Sequence, residues 1–278
     1  MRSHTTMPAI LLISATALLA CTPETGDDKA PAETTATETT AVELTLSADD
    51  SVYAAAVGNP ARSDKDRQRD ARRRPGEVLQ FFGIGPGDTV LDLFSGGGYY
   101  TELLSYVVGS DGVVVAHTNA AYANFVGDEA TERYGNDRLP NVDILMAENN
   151  ELSLPAGEFD AALMVLAYHD IYYVDPENGW PKIDGPMLLK EIFDGLRPGG
   201  VLGVVDHVAA AGSAAETGNT LHRIDPALAR AEIEQAGFVF EESAGFLANP
   251  DDDHTKHMGD PSIRGNTDRF VMRFRKPG

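Results

Sequence analysis

The sequence predicts an α/β domain built on a seven-stranded, mostly parallel sheet with helices on both faces. Two observations carry that reading. From Ser51 onward, short apolar or β-branched runs alternate with helical stretches, the order that crossover helices impose on parallel strands. One of these runs passes directly into a glycine cluster, Gly96-Gly97-Gly98, and then into a helix. In open sheets of this kind ligands bind outside the carboxyl ends of the strands, where such turns lie.

In chain order the strand runs fall at 89–94, 113–116, 142–146, 159–166, 201–205, 238–242 and 270–274. The helical stretches between them fall at 99–108, 122–134, 186–196 and 226–236. The last is punctuated at both ends, with Asp225 as N-cap, Pro226 at the first helical position and Gly237 just past the end. Residues 62–74 interleave both charge signs at helical spacing, which reads as an ion-paired helix surface or as a cap over a pocket. No repeat of fixed period is visible.

The chain has 278 residues, 42% hydrophobic and 23% charged, with a formal net charge of −21. That charge argues against sequence-independent nucleic-acid binding, which needs a basic surface. A single cysteine excludes an intramolecular disulfide and a cysteine-based zinc site. It sits at an informative place. Residues 1–20 carry Arg2 and then an apolar run over 9–20, shorter than the roughly 20 residues a helical membrane span requires. The run ends in Leu18-Leu19-Ala20-Cys21, which resembles a bacterial lipobox and implies a signal peptide cut before a lipid-modified Cys21; an ordinary secretory signal is the alternative. Residues 21–50 are rich in Thr, Ala, Glu and Asp with few large apolar side chains, the composition of a disordered acidic tether. The folded domain is expected over 51–278, exported to the periplasm or cell envelope, with the anchor as its membrane contact.

The glycine turn, the preceding Asp92 and the later Leu196-Arg197-Pro198-Gly199-Gly200 together resemble class I S-adenosylmethionine-dependent methyltransferases. More narrowly, residues 62–276 are similar to an uncharacterised family of predicted exported methyltransferases. The segments that carry this include Gly-Gly-Gly-Tyr-Tyr-Thr (96–101), Tyr-His-Asp (168–170), Gly-Val-Val-Asp-His (203–207), Leu-His-Arg-Ile-Asp (221–225) and Ile-Arg-Gly-x-Thr-Asp-Arg-Phe (263–270). The resemblance implies a Rossmann-like methyltransferase sheet and S-adenosylmethionine as cofactor. It assigns cofactor contacts to Asp92, Gly96, Gly97 and Gly98, to Thr118 and Asn119 at the ribose position, and to Glu148 and Asn149 beside the adenine. Two positions depart from the superfamily pattern. Phe94 stands where the first glycine of the turn is usual, and neutral Thr118 and Asn119 follow the second strand where an acidic residue is usual.

His169-Asp170 and Asp206-His207 follow the runs at 159–166 and 201–205, which the family's strand order makes neighbours. Three readings stand side by side. One histidine acts as a general base oriented by a carboxylate; these residues ligate a divalent metal; or they cap helices and satisfy loop hydrogen bonds. Because successive strand residues point to opposite faces, one residue of each pair is expected to reach the pocket. His222, Arg223 and Asp225, and the group Asp251, Asp252, Asp253, His254, Arg264, Asp268 and Arg269, read either as a lid or as turn chemistry. The expected activity is methyl transfer to a small-molecule acceptor. The alternative is a ligand-binding lipoprotein that keeps the fold without catalysis, because S-adenosylmethionine is made inside cells.

Overall fold

A computed structural model describes residues 48–278. The expected signal peptide, Cys21 and all but the end of the expected tether lie outside the described residues. That end is already helical, since α1 spans Ala48–Val57 and so begins before the expected boundary at Ser51.

Seven strands form one sheet in the order β3-β2-β1-β4-β5-β7-β6. They are β1 (Thr89–Leu93), β2 (Val113–Thr118), β3 (Val142–Met146), β4 (Phe159–Val165), β5 (Leu196–His207), β6 (Val239–Ala244) and β7 (Arg269–Arg275). The first five run parallel, and β7 is antiparallel to both β5 and β6. The remaining helices are α2 (Asp64–Arg73), α3 (Pro75–Phe82), α4 (Tyr99–Val108), α5 (Ala120–Val126), α6 (Glu129–Tyr134), α7 (Gly185–Gly195), α8 (Thr217–Leu221) and α9 (Pro226–Gln235).

The central strands read as continuous apolar runs because both faces are covered. Val201 and Val205 of β5 pack with α1, α3 and α4, through Tyr53, Leu79, Phe82 and Leu103. Leu202 and Val204, one residue out of phase, pack with α7 and α9, through Leu188, Ile192 and Ile233. The expected caps of α9 are present, and Asp225 accepts a hydrogen bond from the Ala227 amide at 2.9 Å.

The expected helix over 122–134 is two helices. Asn119 caps the first, Gly127 at φ 59 ends it, and α6 starts afresh at Glu129. The Leu-Arg-Pro-Gly-Gly turn is taken into β5 as an irregularity, since the register moves from Phe159 opposite Leu196 to Ala161 opposite Val201.

Of the expectations for residues 62–74, the ion-paired helix surface is the one the structure bears out. Surface pairs such as Arg67–Asp64 are present, yet one face of α2 is buried in an ion network. Arg133 Nη1 of α6 lies 2.7 Å from Asp66 Oδ2 and also pairs with Glu102 of α4, and both carboxylates are about 1% exposed. Burial opposes the charge on Asp66, but hydrogen bonds from Arg133 and Arg69 outweigh it and lower its pKa to about 2. The stability this contributes is therefore present above the ordinary Asp value and is lost as pH falls toward 2. Replacing Arg133 by Met leaves Asp66 with Arg69 and Glu102 with Arg138 as their remaining cations, and should cost about 1–3 kcal/mol in urea unfolding at neutral pH. Unchanged stability of Arg133→Met would show that the network is incidental.

Candidate functional site

The turn after β1 is held by its backbone. The Ser95 amide donates to the His117 carbonyl of β2 at 2.9 Å, and the Gly98 amide donates to the Ser95 carbonyl at 2.9 Å. Phe94, in the place of the usual first glycine, adopts that glycine's left-handed backbone at φ 51. This costs on the order of 1 kcal/mol or more. Its ring packs edge-on to His117 and tilted against Tyr122, at 5.7 and 5.6 Å.

The three glycines do different work. A Cβ at Gly97 would lie 2.6 Å from the Glu129 side chain, and one at Gly98 would lie 2.2 Å from Tyr134 Oη. Both are therefore small to admit α6 of the same chain, and Gly98 at φ 76 also holds the left-handed backbone that favours glycine. Gly96 has nothing closer than 3.9 Å to its missing Cβ. It lines a cavity of about 150 Å³ with Ser95, Thr118, Val126, Tyr134 and Met146.

The remaining expected cofactor contacts divide in the same way. Asp92 is buried and turned toward α4, accepting from Thr101 Oγ1 at 2.6 Å, so it supports the turn from beneath. Asn119 spends its side-chain oxygen on the Tyr122 amide at 2.8 Å as the cap of α5. The Thr118 hydroxyl faces the Asn119 carbonyl at 3.4 Å, and Glu148 accepts from the Ala120 amide at 3.2 Å.

Among the described residues, two buried acceptor atoms are left without partners. His117 is fully buried with its pKa lowered by burial, and its Nε2 meets the Ala147 carbonyl at 3.0 Å. The neutral ring therefore donates from Nε2 and leaves Nδ1 as a bare acceptor, with no hydrogen-bond partner. Asn149 Oδ1, after β3, is a second buried acceptor without a donor. Two such acceptors at neighbouring strand ends fit a ligand rich in N–H and O–H donors, as an adenosine is. The sequence reading ends this strand at Ala116 and takes Thr118 and Asn119 as the contacts, whereas β2 continues through His117 to Thr118.

At the ends of β4 and β5 the expected histidines and carboxylates meet. Residues 168–172 form a 3₁₀ turn rather than a strand end, so the expected alternation does not apply to His169 and Asp170. Asp206, fully buried, accepts from the His169 amide at 2.8 Å, from His169 Nδ1 at 2.8 Å and from the His207 amide at 2.7 Å. His169 Nε2 stands 3.3 Å from Asp170 Oδ1, and the Tyr122 hydroxyl donates to Asp170 Oδ2. Burial disfavours the imidazolium, but Asp206 and Asp170 overcome it and raise His169 to about 9. At neutral pH without a ligand, it is a proton donor. His207 Nδ1 meets Thr267 Oγ1 at 2.6 Å, and its ring centroid lies 5.8 Å from that of His169. Burial and then the charge of His169 push its pKa well below the usual value, so it is neutral.

His222 completes the group. It sits at the end of α8 in a left-handed conformation, φ 50, with its Nδ1 3.6 Å from Asp170 Oδ1. Its neighbour Arg223 is fully buried in a two-pronged pair with Asp252, at 2.8 and 3.1 Å, so Asp252 is a structural anchor while Asp251 and Asp253 are exposed. Arg72, Arg73 and Arg269 converge nearby, and none is ion-paired among the described residues. Arg269 donates to the carbonyls of Gly265 and Arg72 at 2.9 and 3.1 Å. The largest cavity described, about 840 Å³, runs along the outer side of the 168–172 turn past Ile171, Tyr172 and Asn219. It does not include His169, Asp170, Asp206 or His207.

With this geometry, known proteins can be compared. No family model matches the chain. The ubiquinone/menaquinone biosynthesis C-methyltransferase UbiE of Hydrogenovibrio crunogenus is 30% identical over 136 residues, 46% of each chain. The chain thus spans about half the length of that curated relative. An S-adenosylmethionine-dependent methyltransferase from Aquifex aeolicus superposes with a TM-score of 0.51 at 22% identity, covering 77% of this chain and all of the other. Phosphoethanolamine N-methyltransferase 2 of Haemonchus contortus, solved with S-adenosyl-L-methionine, gives 0.54 at 14% identity over 74% of this chain and 53% of its own. The chain has the Rossmann-like methyltransferase fold.

Asp92 yields a prediction. Burial, only partly offset by Thr101, raises its carboxyl to about 7, above an unfolded value near 3.9. The folded state therefore holds the proton more tightly. Its stabilising effect is complete below about pH 4 and declines as pH rises to about 7. Asp92→Asn should remove that decline, so variant and wild type diverge by a few kcal/mol between pH 4 and 8 in denaturant unfolding. Parallel pH curves would contradict the assignment.

Proposed function

We propose that this protein is an S-adenosylmethionine-dependent methyltransferase acting on a small-molecule acceptor, exported and held at a membrane by a lipid on Cys21. The observation that carries the cofactor assignment is the pair of unsatisfied buried acceptors, His117 Nδ1 in β2 and Asn149 Oδ1 in the segment after β3. They would take the donors of the adenosine. When bound, the cofactor supplies an electrophilic methyl group on a sulfonium. What this chain adds is position: the adenosine would lie at the ends of β2 and β3, and the His169–Asp206 group stands across β1 at β4 and β5. An acceptor held at the second place would be aligned with a methyl donor held at the first. The partial identity with UbiE supports the same reaction class.

Binding and stability should separate at Asn149. Asn149→Leu removes a hydrogen bond to the ligand and should weaken S-adenosylmethionine binding about tenfold or more in calorimetry of the full chain. The same change removes an unsatisfied buried group and should leave the melting temperature unchanged or higher. Full affinity in this variant would remove the adenosine assignment.

A second reading, ligand binding without turnover, draws on the ribose position, where Asn119 is committed to a helix cap and no acidic residue replaces it. Release of S-adenosylhomocysteine in the presence of an acceptor separates an enzyme from a binding protein.

Export is supported by Arg2, the apolar run at 9–20 and Leu18-Leu19-Ala20-Cys21. Mass spectrometry of protein from bacterial membranes should find Cys21 acylated at the mature N-terminus, and Cys21→Ser should abolish the modification. An unmodified N-terminus at another residue would exclude the anchor.

A further inference from the structure

Three ligand atoms meet where the 168–172 turn faces the end of α8. One ligand atom of each of His169, Asp170 and His222 lies within 4.8 Å of the other two, and the close contacts run from His169 Nε2 to Asp170 Oδ1 and from there to His222 Nδ1. The first two are 3.3 Å apart, and the second and third are 3.6 Å apart. Ligand atoms about 2.1 Å from a metal stand about 3.0–3.4 Å apart at octahedral or tetrahedral angles, so little movement would close these atoms around an ion.

The other contacts of these residues hold those three atoms facing one another. His169 Nδ1 is engaged by Asp206 at 2.8 Å, which fixes the ring and turns Nε2 toward the group. Asp170 Oδ2 is taken by the Tyr122 hydroxyl, leaving Oδ1. The His222 ring is held between Tyr173 and His257, with centroids 4.8 and 4.9 Å away, on a backbone in the left-handed region. A carboxylate behind a histidine and a hydroxyl behind a carboxylate are the outer contacts that orient ligands in metal centres. The His222 side chain is 20% exposed against 2% for His169, so the group is open on one side and closed on the other.

We propose that His169, Asp170 and His222 form a binding site for one divalent transition metal, with zinc the best match to two imidazoles and one carboxylate. The ion keeps at least one open position toward the site. Two nitrogens and one oxygen suit zinc, iron or cobalt and disfavour calcium and magnesium, which prefer all-oxygen shells. The open position would accept an oxygen or nitrogen of the acceptor and lower its proton affinity. That use rests on the methyltransferase reading, whereas metal binding itself does not.

The test uses the full chain, stripped with EDTA and dialysed, then titrated with Zn²⁺ by calorimetry and with Co²⁺ by its visible absorption. One metal per chain is expected. His222→Ala, at the open edge of the group, should weaken binding by at least about 100-fold, and Asp206→Asn by about 10–100-fold through loss of the orienting contact. Absence of a stoichiometric site in the wild type, or undiminished binding by His222→Ala, would overturn the proposal. S-adenosylmethionine titrated into the same samples keeps the two readings apart. Zinc without cofactor binding leaves the metal site and removes the methyltransferase, and cofactor binding without zinc does the reverse.

Discussion

The arrangement at the strand ends depends on one buried carboxylate. Asp206 has no solvent contact and receives three N–H donors, two from His169 and one from the His207 amide. An ionised carboxylate in that position is tolerable because its lone pairs are filled. Two of those bonds cross from β5 to the turn after β4. They hold the 168–172 segment in a tight helical turn and bring Asp170 beside His169. An apolar replacement would remove the reason for that turn to close, and His169 would lose the contact that selects its ring orientation.

Around this point, two separate ion pairs fix what the sheet does not reach. The Asp66–Arg133–Glu102 network fastens α2 and α6 to α4, placing α6 over the glycine turn. The Arg223–Asp252 pair fastens the segment carrying His222 to the loop that leads to Thr267 and Asp268, with the Asp268 amide donating to Asp252 at 2.7 Å. Breaking either would expose a charge in a buried place, so each acts as a specific clasp. The site is thus assembled from five regions of the chain that meet through charged contacts, while the apolar layers supply the platform.

The platform was legible in the sequence because its signals are local. All seven strand runs appear, since β-branched runs between turn residues have few other uses, and Asp225-Pro226 marks a helix start by steric and capping rules that need no tertiary context. The site was legible in kind and less so in detail. His169 and Asp206 do come together as expected from strand order. Asn119 looked available but is spent on a cap, and Gly98 is small because of Tyr134, a residue 36 positions later in the chain. His222 was visible as part of a motif, yet its partner Asp170 is a tertiary neighbour that spacing does not reveal. Phe94 shows the limit most clearly, because a bulky residue in a left-handed conformation runs against its own preference and is held there by His117 and Tyr122.

The position of β7 has a consequence for how the molecule comes into being. The last strand of the chain lies inside the sheet, between β5 and β6, rather than at its margin. During synthesis β5 must wait with an unpaired flank until residues 269–275 have been made, and β6 has no place in the sheet before then. Thr267, the partner of His207, arrives in the same late segment. Completion of the sheet and completion of the polar site are therefore one event, and a chain without residues 269–275 carries an open strand flank able to pair with another chain.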